Sequence, residues 1–252
     1  MKIHLVPNTQ MLPDNSDYNF AASIFRQANI LQSFYYCDSF TEKVIIPNCK
    51  TFMLDSGAFS FKQNKSIQMD WTAYTDRYAE FINRNKVDLF FEMDIDKVIG
   101  LQEVEKLRKR LEDKTGKQPI PVFHKSRGKE YFIDMCREYP YVAIGGIAKE
   151  QRLIGDKLKS LRWFIDVAHE HGAKIHALGF TYIDSLPIYH FDSVDSTAWT
   201  SGNRFGTMFQ FTGNTLRSIK KPEGMRMKNH QAIAMHNFTE WAKFANYAET
   251  HF

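Results

Sequence analysis

Cysteine is scarce in this 252-residue chain. Cys37, Cys49 and Cys136 are the only three, and they stand too far apart for a CxxC zinc module or a disulfide framework. Long apolar runs are missing as well. None approaches the roughly 20 residues needed to cross a bilayer, so no membrane partner is expected. The opening MKIHLVPNTQ has no apolar stretch of the kind a secretory signal carries, which makes cytoplasm the expected compartment. Repeats, low-complexity tracts and linkers are absent, which leaves one domain over 1–252. Neither sign of charge is in large excess: 33 Lys+Arg against 29 Asp+Glu give a formal net charge of +4. That balance admits a polyanionic partner without demanding one. No GxGxxG follows the first apolar run, so a dinucleotide fold has no support.

What is present is an alternation. Short apolar runs occur at 2–7, 51–55, 87–94, 120–124, 141–146, 174–180 and 190–196, with a weaker eighth at 206–211. Helical patterns lie between them: Phe20 to Tyr35, Asp70 to Lys86, Leu101 to Gly116, Lys129 to Tyr139 and Gln151 to Gly172. In the second, Trp71, Tyr74, Tyr78, Phe81 and Ile82 share one face at 3–4 spacing, with Asp70 as N-cap. Gly116 is the expected stop of the third. This order and length predict an α/β fold, a (β/α)8 TIM-type barrel, with a doubly wound open sheet as the alternative. The β/α rhythm stops after Gly213, and a helix over about 230–252 is expected to close the barrel.

In a parallel barrel, reactive groups gather where strands run into their C-terminal loops. Those ends deliver Asp55 and Ser56, Asp94 and Asp96, His124 and Lys125, Gly145 and Gly146, Gly179, then Asp192 and Asp195. Several carboxylates without cysteine point to chemistry at a carbon bearing developing positive charge, such as a glycosyl centre. Asp96 reads equally as a helix N-cap. The paired glycines read equally as a tight turn or as a close approach to a flat or anionic ligand. Magnesium held by Asp94, Asp96 and Asp192 is an alternative use of the acids. His169 and His171 fit a last-turn role at a helix end better than a metal site.

Taken in order, these ends resemble the tRNA-guanine transglycosylase superfamily. LDSGAFS (54–60) is similar to the DSGGFQ strand end, EMDID (92–96) to an acidic strand end, and AIGGIA (143–148) to a GGL or GGI turn. HALGF (176–180) is similar to an H-x-x-G strand, and DSVDSTAW (192–199) to the D-x-F-D-S/C segment that carries the nucleophile. The resemblance implies a barrel enzyme that exchanges guanine in a nucleic acid for a 7-deazaguanine through a covalent aspartyl-glycosyl intermediate. It makes Asp195 the nucleophile, or Asp192 if the match is shifted by three, and Asp55 the general base. Ser56 and Phe59 would hold the base, Asp94 would read its guanine-like edge, and His124 would sit where the family has a glutamine. Gly145, Gly146 and Gly179 would line the base pocket.

The departures redirect the substrate. The family's cysteine-rich zinc subdomain is missing, so no metal and no cofactor is expected, and the basic stretch that docks tRNA keeps only Arg204 and Gly206 in STAWTSGNRFG. The chain resembles instead the compact, zinc-free DNA 7-deazaguanine (preQ0) transglycosylases of phages and bacterial modification islands. DNA is the expected partner, with tRNA as runner-up, in host cytoplasm if the chain is phage-encoded. The basic stretch 217–230, with Arg217, Lys220, Lys221, Arg226 and Lys228, is read either as a phosphate contact or as a solvated loop. Two other functions stay open: base hydrolysis by the same acids, and a non-catalytic nucleic-acid-binding or accessory subunit, including a homodimer.

Overall fold

A computed structural model describes the chain except for residues 9–10, 13–17, 59–68, 147–155, 181, 202–204, 223 and 225–227, and the side chains of 156–159. Eight strands are all parallel: β1 (Lys2–Leu5), β2 (Asn29–Ser33), β3 (Thr51–Asp55), β4 (Leu89–Phe90), β5 (Val122–Phe123), β6 (Tyr141–Ile144), β7 (Lys174–Ala177) and β8 (Ser193–Ser196). They are bonded in the order β4-β3-β2-β1-β8-β7-β6-β5. The two edges meet through a parallel bridge between Phe91 and Ile120, with Ile120 N–H on Phe90 O and Glu92 N–H on Ile120 O. The sheet is thus a (β/α)8 barrel.

Helices α1 (Tyr18–Phe25), α2 (Trp71–Asn85), α3 (Leu101–Thr115), α4 (Lys129–Glu138), α5 (Asp156–Glu170) and α6 (His230–His251) pack outside it. Two of them show the capping signals read from the sequence. Asp70 accepts from the Ala73 N–H at 3.0 Å to start α2, and Gly116 ends α3 in the left-handed region. Helix α2 buries Tyr74, Tyr78, Phe81 and Ile82, each such side chain contributing about 1.5–3 kcal/mol when fully removed from water. Helix α6 buries Phe238, Trp241 and Phe244 and packs on β1. The Met1 ammonium donates to the Phe252 carbonyl at 2.6 Å, so the two ends of the chain meet. No helix among the described residues is long and apolar enough to cross a membrane.

The structure corrects four sequence expectations. The predicted helix from Phe20 to Tyr35 stops at Phe25, and β2 follows at Asn29–Ser33. Ile30 and Leu31 are buried on opposite faces of β2, so no alternation marked it, while Phe25, Ala28 and Leu31 continued a helical spacing. The weak eighth run is a strand, β9 (Thr207–Phe211), but it pairs outside the barrel with β10 (Leu216–Lys220). The stretch from 217, read as a phosphate contact or a solvated loop, therefore begins inside a hairpin. Finally, the run at 190–196 becomes ladder only at Ser193, which places Asp192 before the strand rather than after it.

The barrel interior is divided. Leu31, Met53, Phe91, Ile120, Val122 and Ala143 form one apolar cluster. Against it, His4, Tyr141, His176, Ser193 and Asp195 make a polar side, unlike the branched aliphatic layers usual in such barrels. Phe91 on the β4 side and His176 on β7 meet across this interior with ring centroids 5.3 Å apart.

Candidate functional site

Asp55 closes β3, and the residues after it explain its placement. Gly57 adopts φ +73°, and a Cβ there would stand 2.8 Å from Ser33 Oγ and the Tyr35 backbone. That turn returns the Gly57 N–H to Asp55 Oδ2 at 3.0 Å. Helix α2 holds the strand end from behind: Tyr74 O–H donates to Ser56 O at 2.7 Å, and Tyr78 O–H is shared between Leu54 O and Phe91 O. Burial is the main reason that the Asp55 carboxyl is pushed up to about 6; the charges of Asp94 and Asp195 add to it, against the bonds from Gly57 and Ser33. The three acids thus share one electrostatic site.

Asp195 is the third residue of β8 and points into the barrel. Its Oδ1 accepts from Gly179 N–H at 2.6 Å and contacts His176 Nε2 at 3.3 Å. Oδ2 makes no hydrogen bond among the described residues. Asp94 lies three residues beyond the Phe91 bridge and pairs with His124 Nε2 at 2.6 Å. A Cβ on Gly145 would come within 2.6 Å of His124 Cε1, so the small residue makes room for the ring. Gly145 N–H goes to Phe123 O, leaving any backbone contact with a ligand to Gly146.

Beneath this rim lies a buried ion cluster. Glu92 has no exposed surface and accepts from Val122 N–H at 2.8 Å and from Arg127 at 3.1 Å, with Arg108 at 3.3 Å on its other oxygen. Arg127 also donates to Asp96 Oδ2 at 3.2 Å. Asp96 is therefore a partner of Arg127 and the first residue of a short helix whose N-cap is Ile95, not the N-cap itself. Ligand atoms of Asp94, Asp96 and His124 lie within 4.8 Å of one another, a set that could hold a cation.

The predicted site residues divide as follows. Asp55, Asp94, His124, Asp195 and the glycines come together at the C-terminal rim. Gly179 spends its N–H on Asp195. Ser56 is buried behind Asp55, and its Oγ has no hydrogen bond among the described residues. Phe59 and Arg204 lie outside the described residues. Asp192 is a correction: it sits at the opposite end of the barrel, where its Oδ2 accepts from Ile175 N–H at 2.8 Å and contacts His169 Nε2 at 3.0 Å. A strand is directional, and three residues of β8 carry the chain from floor to rim. Asp192 can be neither the nucleophile beside Asp55 nor a third ligand with Asp94 and Asp96.

Residues that sequence reasoning missed line a cleft of about 580 Å3 beside the acids, over β8, β1 and β2. Asn8, Gln32, Ser33, Tyr36, Thr197 and Thr200 give it an uncharged hydrogen-bonding wall, and its one carboxylate, Asp38, is engaged by Thr41. Uncharged polar side chains at or just past the ends of β8, β1 and β2 were the available signal.

No family model matches the chain, and no curated protein matches it. Among solved structures, it is similar to the carboxyl transferase domain of Rhizobium etli pyruvate carboxylase with pyruvate, at 11% identity and a TM-score of 0.48, covering 100% of this chain and 49% of that one. The same domain with oxalate gives 10% identity and a TM-score of 0.45, covering 99% and 48%. The chain thus spans about half the length of these structures. They bear on neither its reaction nor its substrate.

Proposed function

We propose that the protein is a transglycosylase that exchanges guanine in a nucleic acid, DNA ahead of tRNA, for a 7-deazaguanine such as preQ0. The observation that carries the reading is the meeting of Asp55, Asp94 and Asp195 at one rim, with one Asp195 oxygen held and the other unbonded among the described residues. Asp195 Oδ2 attacks C1′ as the C1′–N9 bond breaks, and the electron pair leaves with guanine. The incoming base loses its N9 proton and attacks C1′, releasing the aspartate. Asp55, poised near 6, gives a proton to the departing base and takes one from its replacement. Asp94 accepts from N1–H and the exocyclic amine of the base edge, held in place by His124.

The barrel order separates the two halves of the substrate. The base lies toward β4, β5 and β6, where Asp94, His124 and Gly146 stand. The sugar and strand lie over β8, β1 and β2, in the cleft lined by Asn8, Gln32, Ser33, Tyr36, Thr197 and Thr200. Within a duplex the nucleoside must leave the stack, at a few kcal/mol. No step requires a metal or cofactor.

Mass spectrometry of nucleosides from DNA and tRNA of cells that express the chain with preQ0 supplied tests the reading. A 7-deazaguanine nucleoside in DNA is the expected result, and one in tRNA alone would move the substrate. Free guanine with no incorporated base would replace exchange by hydrolysis. No change in either pool would overturn the proposal.

A further inference from the structure

Behind Asp195 the barrel interior holds polar side chains that the exchange reaction does not use. Tyr141 on β6 brings its hydroxyl to Ser193 Oγ at 2.5 Å, and Ser193 Oγ stands 2.5 Å from His176 Nδ1. His176 Nε2 faces Asp195 Oδ1 at 3.3 Å. Both His176 and Ser193 are fully buried. Burial of that many polar groups costs stability unless each finds a partner, and here each does.

We infer that Tyr141, Ser193 and His176 form a one-way chain of hydrogen bonds that orients the Asp195 carboxylate, with His176 as the positioning residue. The inference rests on the reading of Asp195 as nucleophile. Chemistry fixes the direction. An ionised carboxylate only accepts, so Nε2 carries the proton that faces Oδ1. A neutral ring then has a lone pair at Nδ1, which takes the Ser193 O–H, and Ser193 in turn accepts from Tyr141 O–H. The chain ends on the same Oδ1 that Gly179 N–H holds, so two donors fix one oxygen and aim the other. His4, edge-on to His176 with ring centroids at 6.0 Å, is engaged by Thr51 and stays outside the chain.

The charged and titratable groups facing Asp195 are His176 from β7, His4 from β1, Asp55 from β3 and Asp94 from beyond β4. Because Asp55 is a second titrating carboxyl at the rim, the test reads Asp195 itself. Carboxyl 13C resonances of wild type, His176→Leu, His176→Gln and Ser193→Ala would be followed with pH, alongside kcat, KM and thermal midpoint. Loss of a donor to the charged form disfavours that form, so His176→Leu should raise the Asp195 titration by about one pH unit. The same variant should lower kcat about tenfold with KM unchanged, as expected for a lost bond to a charged group felt after binding.

His176→Gln, which still offers an N–H near the Nε2 position, should recover most of both effects. Ser193→Ala keeps the ring and should shift Asp195 less, in the same direction; it carries the test if the leucine variant does not fold. The 13C readout needs no turnover, so an upward shift supports the inference even where exchange on nucleic acid is not found and the reaction reading alone fails. An unmoved Asp195 titration in the folded variants would overturn it. So would a 15N spectrum at pH 7 with the His176 proton on Nδ1 or on both nitrogens.

Discussion

Asp192 and Asp195 stand three residues apart on one segment, yet they belong to opposite ends of the barrel. At the floor, the Asp192 side chain is 32% exposed and joins the entry of β7 to the last turn of α5 through Ile175 and His169. At the rim, the Asp195 side chain is 11% exposed, within reach of two other acids, with one oxygen gripped by Gly179 and His176. The difference is one of neighbours. A carboxylate whose bonds all lead to structure braces the fold. One left partly unbonded, beside an Asp55 carboxyl whose proton affinity it helps raise, is the one the proposal uses.

The sharpest break of that comparison is paired mutagenesis. Asp195→Asn should reduce base exchange by about three orders of magnitude or more, as loss of a covalent nucleophile does. Asp192→Asn should stay within about twofold in the same assay of labelled guanine release. Equal losses would erase the distinction between rim and floor.

Glu92 sharpens it from beneath. Removing this buried carboxylate leaves Arg108 and Arg127 without their shared partner, and Glu92→Ala should cost about 3–5 kcal/mol in denaturant unfolding. Glu92 also accepts from Val122 N–H on β5, and Arg127 reaches Asp96, so the loss should also reach activity through those residues.

Asp55→Asn should lower exchange about a hundredfold by removing the group that moves protons. It should also change stability with a definite sign. The folded-state carboxyl is raised to about 6, above its ordinary value near 3.8, so folding favours its protonated form. That costs nothing below the ordinary value, grows as pH rises between the two, and is complete above about 6. The asparagine variant should therefore be more stable than wild type by about 3 kcal/mol at pH 7.5 and nearly equal to it at pH 3.5. A thermal-midpoint difference independent of pH would contradict the burial of Asp55. At the small end, Asp192→Ala should lower stability by about 1 kcal/mol without touching the pH dependence of exchange.

Much of this was legible in the chain because it depends on local pattern. LDSGAF signals an acid at a strand end followed by a residue that must turn, and Gly57 at φ +73° is that residue. Helices α2 and α3 announced themselves through Asp70, Gly116 and their apolar faces. What stayed hidden depended on neighbours distant in sequence. Ile30 and Leu31 are buried on both faces, so β2 carried no period of two. Whether the strand began at 190 or 193 was decided by its pairing with Lys2, and that choice alone set Asp192 on the floor. The polar interior had a faint signature, Ser193 and Asp195 two apart on one strand face, but His176 and Tyr141 join it only through closure of the barrel.

Intact-protein and peptide mass spectrometry of a denaturation-quenched reaction with guanosine-containing DNA tests the central claim most directly. The account predicts a base-less nucleic-acid adduct on the peptide containing Asp195, absent in Asp195→Asn and present in Asp192→Asn. An adduct elsewhere, or exchange turnover with no adduct on Asp195, would contradict it.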